Sequence, residues 1–175
     1  PPSPPPPSPP SSPWRGGTQL GLALRSTLRP SAVLSGWLGL RPSSVGMLTV
    51  GAQARSPSRL TQLTVARQAS DVRGDVGLWA GPSAVTLGVL GSVGARTFYE
   101  DGPLRSVAVP GVALALGVVP ARAPVRLEVR VERDLRRVEM FVGDVREQVY
   151  EPWGVQLAVG ALGRPMTAAG RAGER

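Results

Sequence analysis

Between Val125 and Val142 the chain alternates apolar and charged residues with a period of two. Val125, Leu127, Val129 and Val131 share one face of an extended strand, and Arg126, Glu128 and Arg130 share the other. That period belongs to a strand and not to a helix. Val138, Met140 and Val142 repeat it after the polar interruption Arg133-Asp134-Leu135-Arg136. Folding one run onto the other pairs Val131 with Val138, Val129 with Met140 and Leu127 with Val142 on an inward, apolar face. The outward pairs Glu132–Arg137 and Arg130–Glu139 are then opposite in charge, a gain of a few tenths to about 1 kcal/mol each. A slip of one residue would bury the charges, so the pattern predicts this register.

The rest of the chain reads the same way. Leu20, Leu22 and Leu24 alternate within Thr18–Leu28, and further strands are expected over Val33–Leu40, Val45–Val50, Leu60–Ala66, Val76–Trp79, Val85–Val93, Thr97–Tyr99, Ser106–Val109 and Val112–Val118. Turns are expected at Arg41-Pro42-Ser43-Ser44, Arg55-Ser56-Pro57-Ser58 and Asp71–Gly74. Their recurrence, about every 8–12 residues, is the spacing of a β-sandwich. Gly143-Asp144 suits a type II′ hairpin turn. Pairing Val142 with Val145 there sets Glu147 opposite Met140, a conflict that either a β-bulge or a different register relieves. Trp37, Trp79 and Trp153 sit among apolar or glycine neighbours and are expected in the core, with Trp14 exposed.

These patterns divide the chain into a proline-rich linker or tail over residues 1–17, a β-sandwich domain over 18–166 and a flexible tail over 167–175. Pro1–Pro13 reads PPSPPPPSPPSSP, a low-complexity run that favours a disordered, polyproline II spacer. The chain opens without a signal peptide or an initiating Met and reads as a processed product or an excised fragment. No uninterrupted apolar stretch reaches the roughly 18 residues of a membrane-spanning helix. Val107–Val119 comes nearest, broken by Pro110, Gly111 and Gly117, so no membrane insertion is expected.

Composition narrows the chemistry. The chain has no histidine or cysteine, and its 20 basic residues are all arginine. The usual zinc ligands, a Cys nucleophile, a Ser–His pair, a Schiff base and a P-loop are thereby excluded. Paired carboxylates between Glu128 and Glu151, or a hard cation at Asp71, Asp75 or Asp144, remain as chemical options. The predicted register commits Glu132 and Glu139 to cross-strand pairs and leaves Glu128 solvated, and the aspartates read as turn residues. The reading is therefore non-enzymatic, with no cofactor and no metal. The formal charge of +8 is concentrated in residues 1–70, which hold seven arginines and no acid. A polyanion is a possible partner for such a balance.

Four stretches resemble a laminin G-like domain, the concanavalin A-like jelly roll. They are LSGWLGLRPSSVGMLTVGAQ (Leu34–Gln53), Leu60–Gly81, VRLEVRVERDLRRVEMFVGD (Val125–Asp144) and VQLAVGALGRP (Val155–Pro165). The chain departs from that pattern where Ala123-Pro124 replaces a Trp-His pair, where Gly143-Asp144 reverses the usual turn, and in having no closing disulfide. A SPRY-type sandwich carries a similar hairpin. The resemblance implies an antiparallel, jelly-roll-like β-sandwich acting as a binding or adhesion module, extracellular or at the cell surface. Such a module recognises glycan or protein surfaces through loops at the sandwich rim. Arg122, Arg126, Arg133 and Arg136 fall at that rim, where forked guanidinium groups grip sulfate or carboxylate. The alternative is a structural assembly subunit, shell- or coat-like, whose tail and basic first half contact neighbouring subunits or nucleic acid. The ligand and the oligomeric state stay open.

Overall fold

The computed structural model describes residues 13–25, 28–59, 68–82, 84–99, 105–136, 138–142, 145–149 and 152–162. Among them lie ten strands: β1 (Trp14–Arg25), β2 (Leu28–Leu40), β3 (Gly46–Arg59), β4 (Gln68–Ala80), β5 (Val85–Tyr99), β6 (Arg105–Val118), β7 (Val125–Asp134), β8 (Glu139–Val142), β9 (Val145–Val149) and β10 (Trp153–Leu162). Eight of them close into a single antiparallel barrel in the order β1-β10-β7-β6-β5-β4-β3-β2, and β8 pairs only with β9. The expected sandwich is therefore corrected. There are no two stacked sheets here, but one sheet whose first strand pairs with its last, Leu22 opposite Leu157 and Leu20 opposite Val159.

The reason is visible in β7. Val131, Val129 and Leu127 pair with Val155, Leu157 and Val159 of β10 on one side, and with Leu114, Leu116 and Val118 of β6 on the other. None of them pairs with Val138, Met140 or Val142, so the predicted hairpin register is wrong. The faces are inverted as well. Val129 is 42% exposed, whereas Arg130 is 6% and Glu132 4% exposed. Alternation states which residues share a face, and it leaves open which face meets the solvent.

The inversion runs around the whole barrel. Leu20, Leu34, Leu78, Leu87, Val93 and Leu114 stand outward at 58–67% exposure. In β4 the outward Val72, Val76 and Leu78 alternate with the inward Asp71, Arg73, Asp75 and Trp79. The expected turn at Asp71–Gly74 lies inside this strand. An apolar outer band on a closed barrel is the surface that hydrocarbon solvates, and the barrel strands run 10 to 15 residues, enough to cross a bilayer at a tilt, which takes about 9–11. The expectation of no membrane insertion is thus overturned. A search for long apolar runs looks for helices, and among the described residues no helix is long and apolar enough to cross a membrane. Strands cross with an apolar residue only at every second position.

One end of the barrel carries the tight turns 41–45, 81–84 and 119–124, with Trp14 and Leu162 beside them. The opposite end carries the connections 26–27, 60–67, 100–104 and 135–152, the last and longest of which, between β7 and β10, holds the β8–β9 hairpin. In that hairpin Val142 pairs with Val145, and the register shifts between Met140 and Phe141, so that Met140 pairs with Gln148 and not Glu147. Of the two readings of that conflict, the bulge is the one present. Trp14 is exposed as expected, Trp79 is buried, and Trp153, expected in the core, stands 53% exposed on the outside. The proline run over residues 1–12, the expected strand over Leu60–Ala66 and the tail over 167–175 lie outside the described residues. β1 begins at Trp14, within the stretch assigned to the tail.

The outward face supplies the first prediction. Leu114→Arg, mid-strand on the outside, is expected to destabilise the vesicle-embedded barrel by about 2–4 kcal/mol. Val112→Ala is expected to cost far less. Urea titration of both variants in lipid vesicles checks this.

Candidate functional site

The inward positions converge on a charged interior. Six arginines (Arg25, Arg55, Arg73, Arg96, Arg126 and Arg130) and five acids (Asp71, Asp75, Glu128, Glu132 and Asp134) are buried there. They come from β1, β3, β4, β5 and β7, at every second residue where a strand gives more than one, because an eight-stranded barrel leaves an interior just wide enough for side chains to fill.

Near the end with the long connections the charges form one lattice. The Asp134 carboxylate accepts Arg25 Nη1 at 2.8 Å and Arg73 Nη1 at 2.8 Å, and Arg96 Nη2 lies 3.0 Å away. Asp71 accepts Arg96 Nε at 2.7 Å and Arg73 Nη2 at 3.0 Å. Glu132 joins Arg25 at 3.0 Å to Arg55 at 2.6 Å. Taking these charges out of water costs several kcal/mol per ion, and shared, forked contacts offset that cost where isolated pairs would not. Arginine suits this role better than lysine, since its planar fork reaches two carboxylates at once.

Toward the tight-turn end the lattice thins. Glu128 accepts Arg130 Nη2 at 2.9 Å, Arg126 Nε at 3.2 Å and Gln19 Nε2 at 3.2 Å, while Asp75 meets Arg130 Nη1 at 3.4 Å. Arg126 Nη2 has no hydrogen-bond partner among the described residues, and its guanidinium lies 4.3 Å above the centroid of Trp79 and 5.8 Å from that of Trp37. The ring faces supply the missing attraction. Trp79 is itself held by Nε1 donating to Thr49 Oγ1 at 3.0 Å. Glycine makes the stack possible: a Cβ at Gly88 would sit 2.6 Å from the Trp79 ring, and one at Gly117 would collide with the Arg126 guanidinium. The cavity beside this stack measures about 20 Å³, room for a single water, and touches Gln19, Thr49, Asp75, Arg126, Glu128 and Arg130.

The barrel interior is thus filled from side to side. Its upper mouth holds an apolar cluster of Ala69, Phe98, Val109 and Val138, the last reaching in from the β7–β10 connection. Among the described residues no group of three or more His, Cys, Asp or Glu is placed to hold a metal. Each lumenal carboxylate is gripped by guanidinium groups, so these acids act as charge partners and not as an acid–base pair.

The four arginines of the sequence-based site are not brought together. Arg126 is buried in the lumen, and Arg122 is exposed in the turn between β6 and β7 at the tight-turn end. Arg133 points outward at the opposite rim, 5.1 Å from the centroid of Trp153. Arg136, exposed just beyond β7, donates from Nη1 to the Ala108 carbonyl at 3.5 Å. Sequence reasoning missed the lumenal partners. Asp71 and Asp75 passed for turn residues beside Gly74, and Glu128 and Glu132 for a solvated face. The available signal was charge at every inward position of one strand, Arg126 through Asp134, with no apolar exception.

Among solved structures the chain is similar to Neisserial surface protein A, at 13% identity over 86% of this chain and 95% of that one, with a TM-score of 0.53. It is also similar to the N-terminal β-barrel domain of Pseudomonas aeruginosa OprF, at 7% identity over 87% and 99% of the two chains, with a TM-score of 0.51. At these identities the likeness is one of fold, and it replaces the laminin G-like jelly roll. No protein-family model and no curated protein matches the chain.

Two outcomes test this interior. Asp134→Ala strips one carboxylate from Arg25, Arg73 and Arg96 together and is expected to cost about 3–5 kcal/mol. Asp75→Ala, which loses a single longer contact, is expected to cost about 1–2 kcal/mol; equal losses in urea unfolding would contradict the lattice. Gly88→Ala pushes a methyl into the Trp79 ring and is expected to cost about 1–3 kcal/mol through overpacking. Tryptophan fluorescence of the folded variant should shift at the same time.

Proposed function

We propose that this chain is a bilayer-spanning outer-membrane barrel with a filled, non-conducting lumen, acting as a non-enzymatic surface-interaction protein. The observation that carries the reading is the radial inversion, apolar side chains outside and paired charges inside. In hydrocarbon only a helix or a closed barrel satisfies its own backbone, and this chain has closed its sheet. Tight turns face the periplasm in such barrels and the longer connections face outward. By that rule the β7–β10 connection with its hairpin is the external, partner-facing end, and glycan or protein surfaces are its expected partners. The assembly-subunit alternative loses support: Arg25 and Arg55, from the basic first half, are spent on Glu132 and Asp134 inside the lumen.

The test is reconstitution. The folded chain in detergent is expected to migrate faster on a gel when unheated than when boiled, and to give no conductance steps across a planar bilayer. Discrete steps of open-pore size would overturn the filled lumen. A chain that stays soluble and monomeric without detergent or lipid would overturn the membrane reading.

A further inference from the structure

Among the outward positions of the eight barrel strands whose side chains are described, a single one is charged. It is Arg133, the last outward residue of β7. Every other described outward position between the two rims is apolar, glycine or a small hydroxyl residue. No carboxylate among the described residues reaches this guanidinium. It stacks instead on Trp153, the first residue of β10 and its partner in the ladder. An arginine beside hydrocarbon carries its charge to the head-group level, and an indole next to it marks the same level.

Directly below this pair the same face is grooved. Leu127 and Val129 of β7, Leu157 and Val159 of β10, and Leu20 and Leu22 of β1 border an apolar trough of about 420 Å³, floored by backbone at Gly21, Glu128 and Ala158. The ladder makes it continuous with the cation. Arg133 pairs with Trp153, Val131 with Val155, Val129 with Leu157 and Leu127 with Val159. From Arg133 to Val129 is four residues, roughly 13 Å of strand, which is head-group to acyl-chain distance.

We infer that this outer face of β7, β10 and β1 binds one phosphate-bearing lipid. Arg133 takes the phosphate by a forked, charge-assisted contact, Trp153 holds the guanidinium in place, and the trough takes an acyl chain. The occupant follows from charge complementarity: a lone cation above an apolar groove fits an anionic head group with a tail and fits neither a neutral lipid nor a free anion. The inference rests on the membrane-spanning reading.

The experiment is native mass spectrometry of the full chain released from mixed micelles of phosphatidic acid and phosphatidylcholine with the same acyl chains. The intact chain is expected to retain one phosphatidic acid in preference to phosphatidylcholine. Arg133→Gln should reduce that preference about tenfold, the size of one charge-assisted hydrogen bond, and Trp153→Leu should reduce it less. Arg122→Gln, at the opposite end, should leave it unchanged. Equal retention of the two lipids, an equal effect of Arg122→Gln, undiminished retention by Arg133→Gln, or a dimer mass without lipid would each overturn the inference. Glycerol 3-phosphate displacing the lipid at equal concentration would overturn the groove's part in it. The unheated gel shift of every variant separates the two levels: a shifted, folded barrel without lipid preference removes only the lipid site, and a barrel that never forms removes the membrane reading with it.

Discussion

Hydrocarbon offers the peptide backbone no hydrogen-bond partner, and the rest of this structure depends on that constraint. An edge strand in lipid would leave a row of N–H and C=O groups unpaired, each at a cost of several kcal/mol. Closure removes the edges by joining β1 to β10. Closure of eight strands in turn fixes a narrow interior, and a narrow interior admits only side chains. With the apolar residues drawn outward to lipid, the alternate positions point inward whatever their chemistry. The charges in the lumen follow from the solvent outside.

Those charges then do what an apolar core does in a soluble protein. Asp134 on β7 is tied to Arg25 on β1, Arg73 on β4 and Arg96 on β5, so a single carboxylate spans the barrel to three other strands. Glu132 adds β3 through Arg55. A slip of one strand by a residue would turn these groups to lipid and leave their partners buried and alone, which is far costlier than a slip in an apolar core. Register is therefore fixed twice, by lipid outside and by ion pairs inside. The glycines at Gly88 and Gly117 show the limit of the space, since the Trp79–Arg126 stack occupies the volume that their side chains would need.

How much of this was legible in the sequence follows from the same geometry. Period-two alternation in Val125–Val131 marks a strand, and it did so whichever way the faces turned. The opposite charges on its polar face looked like solvated cross-strand pairs, since Arg and Glu neighbours attract in water and in a lumen alike. Two things were hidden. One was the partner: Val131 lies against Val155, some two dozen residues further on, because the intervening segment folds as a separate hairpin. The other was the sign of the face, which a single strand does not encode. In Val85–Val93 the inward positions are Thr86, Gly88, Leu90 and Ser92, too mixed to look like an interior of either kind. Asp71 and Asp75 were lost to the glycine between them, a turn signal in a soluble loop and a spacer in a crowded lumen. The lumenal site was unreadable for the same reason, since its members come from five strands and meet only once the sheet has closed.

The constraint relaxes at the end of the barrel, and there the chain departs from its regular up-and-down path. β7 stops at Asp134, shorter than β6 beside it, and the chain runs through residues 135–152 before β10 begins. The first turn of this excursion is tethered: the Leu135 amide donates to the Pro110 carbonyl at 2.9 Å, and the Arg136 guanidinium reaches Ala108 on the same strand. Val138 then turns inward onto Ala69, Phe98 and Val109, from β4, β5 and β6, and is 8% exposed. At the far side the Asp134 amide bonds the Pro152 carbonyl at 2.8 Å, closing the excursion at its base. The hairpin β8–β9 is thus carried on a base pinned to three strands and to the apolar cluster at the mouth. A pinned base presents a projecting hairpin in one orientation, which lowers the ordering cost of any contact made there. The barrel wall answers to lipid and its interior to charge pairing, and the β8–β9 hairpin is a stretch of chain that belongs to neither.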